Sequence, residues 1–182
     1  MNTRSSFVIS MAAFLVLNSG SSVAANTQPP LPVSCSASQL SLGLDAEGGY
    51  FDGMSHSGTL LVLRNLGPQT CSVPAQPTLV FEDAQHHPVR VSRQTPAGMH
   101  PGPVILPVAI PVEAEVTSQM RWVSGDVYDG HNCVFPALVT IPLGADTLSV
   151  PFNGSLCGPA GPPPTYTMTP LQRDPVYTPP VP

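Results

Sequence analysis

The side chains able to do chemistry fall into a few short groups. Met54-Ser55-His56 and Met99-His100 each set a thioether beside an imidazole, a pairing suited to copper(I). If loops at one end of a fold met, Met54, His56, Met99 and His100 would form a four-ligand copper set. The competing expectation is that the methionines fill gaps beneath loops, as flexible thioethers commonly do. His86-His87 follows Glu82-Asp83, a borderline-to-hard ligand cluster, although adjacent histidines on a polar turn are ordinarily solvated. His131 lies close to Asp126 and Asp129, which could orient an imidazole, but no motif supplies a serine. Gly-x-Ser-x-Gly and His-Glu-x-x-His are both absent, so the hydrolase signatures fail. Asp126, Asp129 and Asn132 do not fit the EF-hand spacing. Asn153-Gly154-Ser155 matches a glycosylation sequon, a short motif that recurs by chance. No catalytic residue and no cofactor is expected.

Four cysteines complete the inventory: Cys35, Cys71, Cys133 and Cys157. No two have the Cys-x-x-Cys spacing of zinc or redox sites. Their meaning depends on compartment, which the first residues address. Met1-Asn2-Thr3-Arg4 is a short basic start. Residues 7–17 are apolar, and Ser22-Val23-Ala24-Ala25 offers small side chains for cleavage. That is the pattern of a signal peptide over residues 1–25, cut near Ala25. The apolar run is shorter than the roughly 20 residues that span a bilayer, and no cysteine follows the cut for lipid attachment. The expectation is a secreted or periplasmic chain with no transmembrane segment. In an oxidising compartment an even set of cysteines reads as disulfides. In an antiparallel hairpin, the start of the first strand lies beside the end of the second. That geometry favours Cys35–Cys71 and Cys133–Cys157 among the three possible connectivities.

The elements that must carry these groups read as strands. Leu40, Leu42 and Leu44 alternate with Ser41 and Gly43, the period of a half-buried strand. Residues 60–63 are continuously apolar, as expected of a strand buried on both faces, and Asn65-Leu66-Gly67-Pro68 stops it. Leu79-Val80-Phe81 resumes, and a short strand is expected at 89–91. Ala114, Val116, Met120 and Trp122 share one parity, with Glu115, Thr117, Gln119 and Arg121 on the other. This predicts a strand with one wet face, anchored by the only tryptophan. Residues 134–141 and 148–152 form a last hairpin. Prolines at 96, 101, 103, 107 and 111 restrict the segment between to an edge, a crossing or a loop. No stretch holds a period of 3.6 with caps, so no long helix is expected.

Seven to eight short strands with proline and glycine between them predict an all-β, immunoglobulin-like Greek-key sandwich with two disulfides. The expected boundaries are a proline-rich lead-in at 26–34, the domain at 35–157, and a proline-rich disordered or extended tail at 158–182. The tail holds nine of the 24 prolines. Of the 182 residues, charged ones make up only 9%, against roughly 25% in ordinary soluble domains. The six basic residues are all arginine, and the net charge is −5. Nucleic acid and anionic lipid are therefore poor partners.

The run TLLVLRNLGPQTCSVPAQPTLVFED at 59–83, set between Cys35 and the Trp122 strand and followed by Cys133 and Cys157, resembles the DUF4232 family, exported bacterial domains of uncharacterised function. The likeness rests on Asn65-Leu66-Gly67, Thr70-Cys71, Pro77 and Phe81-Glu82-Asp83. It implies an immunoglobulin-like sandwich with two disulfides and brings no catalytic residues. The expected role is a non-enzymatic binding or structural module whose partner is a protein or a cell-envelope polymer. Its contacts would come from the sheet face at 115–121 or from the loops at 45–57 and 124–132.

Overall fold

The structure, a computed structural model, describes residues 32–95 and 104–173. The expected signal peptide, most of the lead-in, and Met99 and His100 of the copper set lie outside them. In chain order the strands are β1 (Leu40–Asp45), β2 (His56–Asn65), β3 (Cys71–Val73), β4 (Val80–Glu82) and β5 (Ser92–Arg93). Then come β6 (Val108–Ile110), β7 (Glu115–Val123), β8 (His131–Val134) and β9 (Leu138–Leu143). The last are β10 (Asp146–Pro151), β11 (Leu156–Pro159), β12 (Thr165–Met168) and β13 (Gln172–Arg173). Short 3-10 turns before β1 and within the β1–β2 connection are the only helical pieces among the described residues.

The main sheet runs β1-β2-β7-β12-β5. β1 and β2 form a six-pair hairpin from Leu40↔Asn65 to Asp45↔Leu60. β2 then pairs antiparallel along β7, from His56↔Val123 to Arg64↔Glu115. The smaller sheet is β10-β9-β4, and two ribbons, β11-β8 and β3-β6, complete the fold. The long-range β2–β7 and β4–β9 pairings are the crossings that make it an all-β, immunoglobulin-like Greek-key sandwich.

The core lies between the sheets. Leu61, Leu63, Val116 and Met120 of the main sheet pack with Phe81, Val139 and Ile141 of the smaller one. An aromatic chain crosses it. The ring centroids of Trp122 and Phe152 are 5.2 Å apart, those of Phe152 and Phe81 5.5 Å, and those of Phe81 and Tyr166 5.3 Å. Such tilted and edge-to-face pairs are worth about 0.5–1.5 kcal/mol each beyond burial. The parity read along β7 holds: Val116, Met120 and Trp122 are all buried. Both disulfides join as expected, Cys35–Cys71 and Cys133–Cys157, with Cα atoms 4.9 and 4.1 Å apart.

Several expectations need correction. The domain does not end at Cys157, because residues 158–173 belong to the sandwich. β12 pairs with β7 at Tyr166↔Trp122 and Met168↔Met120, and β13 pairs with it at Gln172↔Thr117. Together they line the edge of β7 opposite β2. Pro162, Pro163, Pro164 and Pro170 sit between the strands while Pro159 closes β11, and Tyr166, Met168 and Leu171 are buried. The wet face of β7 is narrower than the alternation implied. Thr117 is buried where β13 crosses, while Gln119 and Arg121 stay exposed. β2 buries Leu61 and Leu63, whereas Leu60 and Val62 are only half-buried. Residues 89–91 are not a strand. A bridge from Glu82 to Pro88 holds the turn, and the pairing moves to β5, which joins β12 in parallel. The described residues form thirteen strands in place of seven to eight, the additional ones, β3, β6, β8, β11, β12 and β13, being only two to four residues long.

Candidate functional site

Among the described residues, the groups singled out for metal chemistry do not converge. Met54 is fully exposed on the β1–β2 connection, and His56 opens β2 with its Nδ1 3.0 Å from the Ser55 hydroxyl. His86 and His87 each meet a different carboxylate: Glu82 lies 3.2 Å from His86 Nδ1, and Asp83 lies 3.3 Å from His87 Nδ1. Asp83 is held by its turn. Its Oδ1 accepts N–H bonds from Gln85 at 2.8 Å and His87 at 2.9 Å. The His87 N–H, foremost among these, keeps the carboxyl below its ordinary value. His131 Nδ1 does pair with Asp126, at 2.8 Å. Among the described residues no hydroxyl is hydrogen-bonded to the ring. No three His, Cys, Asp or Glu side chains gather as a metal site among the described residues.

A different place does gather chemistry. An open cleft of about 410 Å³ lies at one end of the sandwich, within the 300–1,000 Å³ range of ligand pockets. Ser57, Gly58 and Thr59 of β2 form one wall. Trp122, near the end of β7, and the following Ser124 form another. The segment after β10 supplies Phe152, Asn153, Gly154 and Ser155, and Asp52 enters from the β1–β2 connection.

Local sequence explains this convergence. Gly48 and Gly49 take φ of 62° and 90°, conformations that glycine adopts without steric cost, so the β1–β2 connection folds back on itself. Gly53 N–H then bonds the His56 carbonyl at 2.8 Å. The Ser55 carbonyl accepts from Ser124 N–H at 2.9 Å, fastening this connection to the end of β7. The Ser57 hydroxyl donates to Ser124 Oγ at 2.9 Å, and Ser155 Oγ donates to the Ser124 carbonyl at 2.8 Å. Three separate segments are thereby tied around Ser124. Gly58 is required by contact: a Cβ there would lie 2.7 Å from the Met120 carbonyl and 3.0 Å from Phe51. Phe51, buried, packs edge-on to exposed Tyr50 and under the Arg121 guanidinium, 5.2 Å from its ring centre.

Trp122 reaches the cleft lining but is itself buried. Its Nε1 is the one buried side-chain polar atom without a hydrogen-bond partner among the described residues. The loops at 45–57 and 124–132 expected to carry contacts do meet, at Ser55 and Ser124. The third contributor, 152–155, was not expected as a binding segment. Its sequence signals were the turn-forming Asn153-Gly154 pair and the sequon, neither of which points to a cleft.

The fold defines the class: an all-β, immunoglobulin-like sandwich closed by two disulfides. Residues 35–172 match the domain of unknown function DUF4232, and the chain belongs to that family. The match ends within β13, in agreement with the extended domain boundary. Neither a comparison with curated proteins nor one with solved structures yields a match. No helix among the described residues is long and apolar enough to cross a membrane.

Proposed function

We propose that this domain is an exported, non-enzymatic binding module of the cell envelope or extracellular space, and that it seats its partner in the cleft. The cleft is the observation that carries the reading. Polar groups from three segments face one open cavity, with no arginine or histidine in its lining. The leader-like pattern at 1–25 and the wholly paired cysteines support an oxidising destination.

Co-sedimentation of the purified protein with isolated envelope material tests this. Binding is expected, with the partner recovered chemically unchanged. Asn153→Tyr, an exposed position where the larger ring narrows the cleft, is expected to abolish it. Binding that is indifferent to this substitution would move the contact elsewhere, and release of a processed product would replace the module with an enzyme.

A further inference from the structure

We infer that Asn153-Gly154, in the lining of the cleft, is a self-modification site. The Asn153 amide cyclises onto the Gly154 nitrogen and is lost as ammonia, which gives the cleft a second carboxylate. The inference does not depend on what the cleft binds.

Three observations carry it. First, the attacking atom is open. Ring closure uses the backbone nitrogen of the following residue, and glycine, lacking a Cβ, hinders that approach least. Asn153-Gly154 is the one Asn-Gly pair in the sequence. Nothing among the described residues accepts from the Gly154 N–H. Secondly, the amide is free. Asn153 is exposed. The side-chain bond of its segment is made by Ser155, to the Ser124 carbonyl at 2.8 Å, and among the described residues none holds the Asn153 amide. Thirdly, the backbone is outside any ladder. Residues 152–155 run between the end of β10 and the start of β11, so the chain can turn into ring geometry without breaking a strand pair.

The other described asparagines lack these features. Asn65 is wholly buried with its amide committed to three bonds, and the Leu66 N–H that would attack it is donated to the Gln39 carbonyl at 2.7 Å. Asn132 lies within β8, donates to the Pro162 carbonyl at 3.2 Å and precedes the bridged Cys133. Asp52-Gly53 and Asp129-Gly130 can close the same ring, but they regain a carboxylate and add no charge. The Gly53 N–H is moreover donated to the His56 carbonyl at 2.8 Å.

The step balances with water alone. The Gly154 nitrogen loses its proton to base and attacks Asn153 Cγ. The N–Cγ bond forms, the Cγ–Nδ2 bond breaks, and Nδ2 leaves as ammonia. Water then opens the cyclic imide. Cleavage at Cγ gives aspartate; cleavage at the main-chain carbonyl gives isoaspartate, with one more backbone carbon. Nothing is oxidised or reduced. Asp52 is otherwise the lining's only ionisable group, so the product doubles the negative charge there.

The purified protein is aged in mildly alkaline buffer and peptide-mapped by mass spectrometry over time, beside a synthetic peptide of residues 149–158. Conversion of Asn153, read as NH2 replaced by OH, is expected to outrun that of Asn65 and Asn132 by more than about tenfold, since each hydrogen bond that must open first slows closure by up to about that factor. The converted fraction should co-elute with Asn153→Asp on anion exchange. Asn153→Gln, whose longer side chain closes a larger ring poorly, should resist conversion at this position and, being a surface change, melt with the unaged protein. An Asn153 that stays intact in the folded protein would overturn the inference, and conversion of the peptide alone would trace the failure to a fold that holds the segment out of ring geometry. Conversion of Asn65 or Asn132 as fast as Asn153 would overturn it equally.

Discussion

Asn65 shows what a single side chain does in this fold. It is wholly buried at the end of β2, and all three of its strong hydrogen-bonding groups are used. Oδ1 accepts from Gly67 N–H at 2.9 Å, while Nδ2 donates to the Gln69 carbonyl at 2.8 Å and the Ile110 carbonyl at 2.9 Å. Its backbone also bonds Ala114 and Glu113. One amide therefore closes the turn after β2 and ties it to the end of β6. Asn65→Ala leaves two carbonyls and one N–H unpaired, at a cost of about 3 kcal/mol or more given 1–3 kcal/mol for each buried group left unsatisfied. Asn65→Asp is expected to be worse at neutral pH, because a carboxylate would face the two carbonyls. Burial and those acceptors raise its pKa, so the protonated acid, which can donate one bond, recovers part of the loss as pH falls. Urea unfolding of both variants at neutral and mildly acidic pH checks this. Destabilisation by Asn65→Ala with none by the isosteric Asn65→Asp at any pH would show that Asn65 acts by shape alone.

Among elements, the informative one is β12 with β13. Tyr166, Met168 and Leu171 are buried, and the two strands cover an edge of β7 that would otherwise display unpaired N–H and C=O groups. A chain ending after Cys157 loses three core side chains, each worth about 1.5–3 kcal/mol when buried. It also bares the edge of the longest central pairing. Such a truncation is expected to be aggregation-prone and to bind a hydrophobic dye, whereas a chain ending after Arg173 keeps both strands and should unfold at a markedly higher temperature. Thermal unfolding and dye binding distinguish the two. The sequence concealed this element for a physical reason. Four residues of Thr-Tyr-Thr-Met supply only two inward side chains, too few to register as a period, and prolines on both sides read as tail. The same brevity hid β3, β5 and β6, which hold two or three residues each. By contrast β1 and β7 declared themselves by alternation and β2 by its apolar run, because six to ten residues leave a pattern long enough to register. The cleft was legible by halves. Its loops at 45–57 and 124–132 stood out through glycine and aspartate, but 152–155 joins them only through the register of β10, which short-range spacing does not encode.

For the molecule as a whole, the two disulfides divide the work of holding it together. Cys35–Cys71 bridges 36 residues and brackets the β1–β2 hairpin; Cys133–Cys157 bridges 24 and brackets the β9–β10 hairpin. Loop-closure entropy makes each worth about 3–4 kcal/mol, and because they sit in different ribbons their losses should add. Their exposure differs. Both sulfurs of the first belong to buried residues, whereas Cys133 is only half-buried on β8, so a mild reductant should open Cys133–Cys157 first. The consequences differ as well. The cleft segment 152–155 runs directly into β11, whose register against β8 the second disulfide fixes at Cys157↔Cys133. Cys133→Ser/Cys157→Ser should therefore loosen one wall of the cleft and weaken binding in a protein that still folds. Cys35→Ser/Cys71→Ser should cost comparable stability and leave the folded protein's binding intact, since Cys35 and Cys71 lie outside the cleft lining. Denaturant unfolding measures the first quantity, and co-sedimentation with envelope material, below each variant's transition, measures the second. Equal losses of binding in the two variants would mean that the sandwich responds as one rigid unit rather than through the ribbon that carries the cleft.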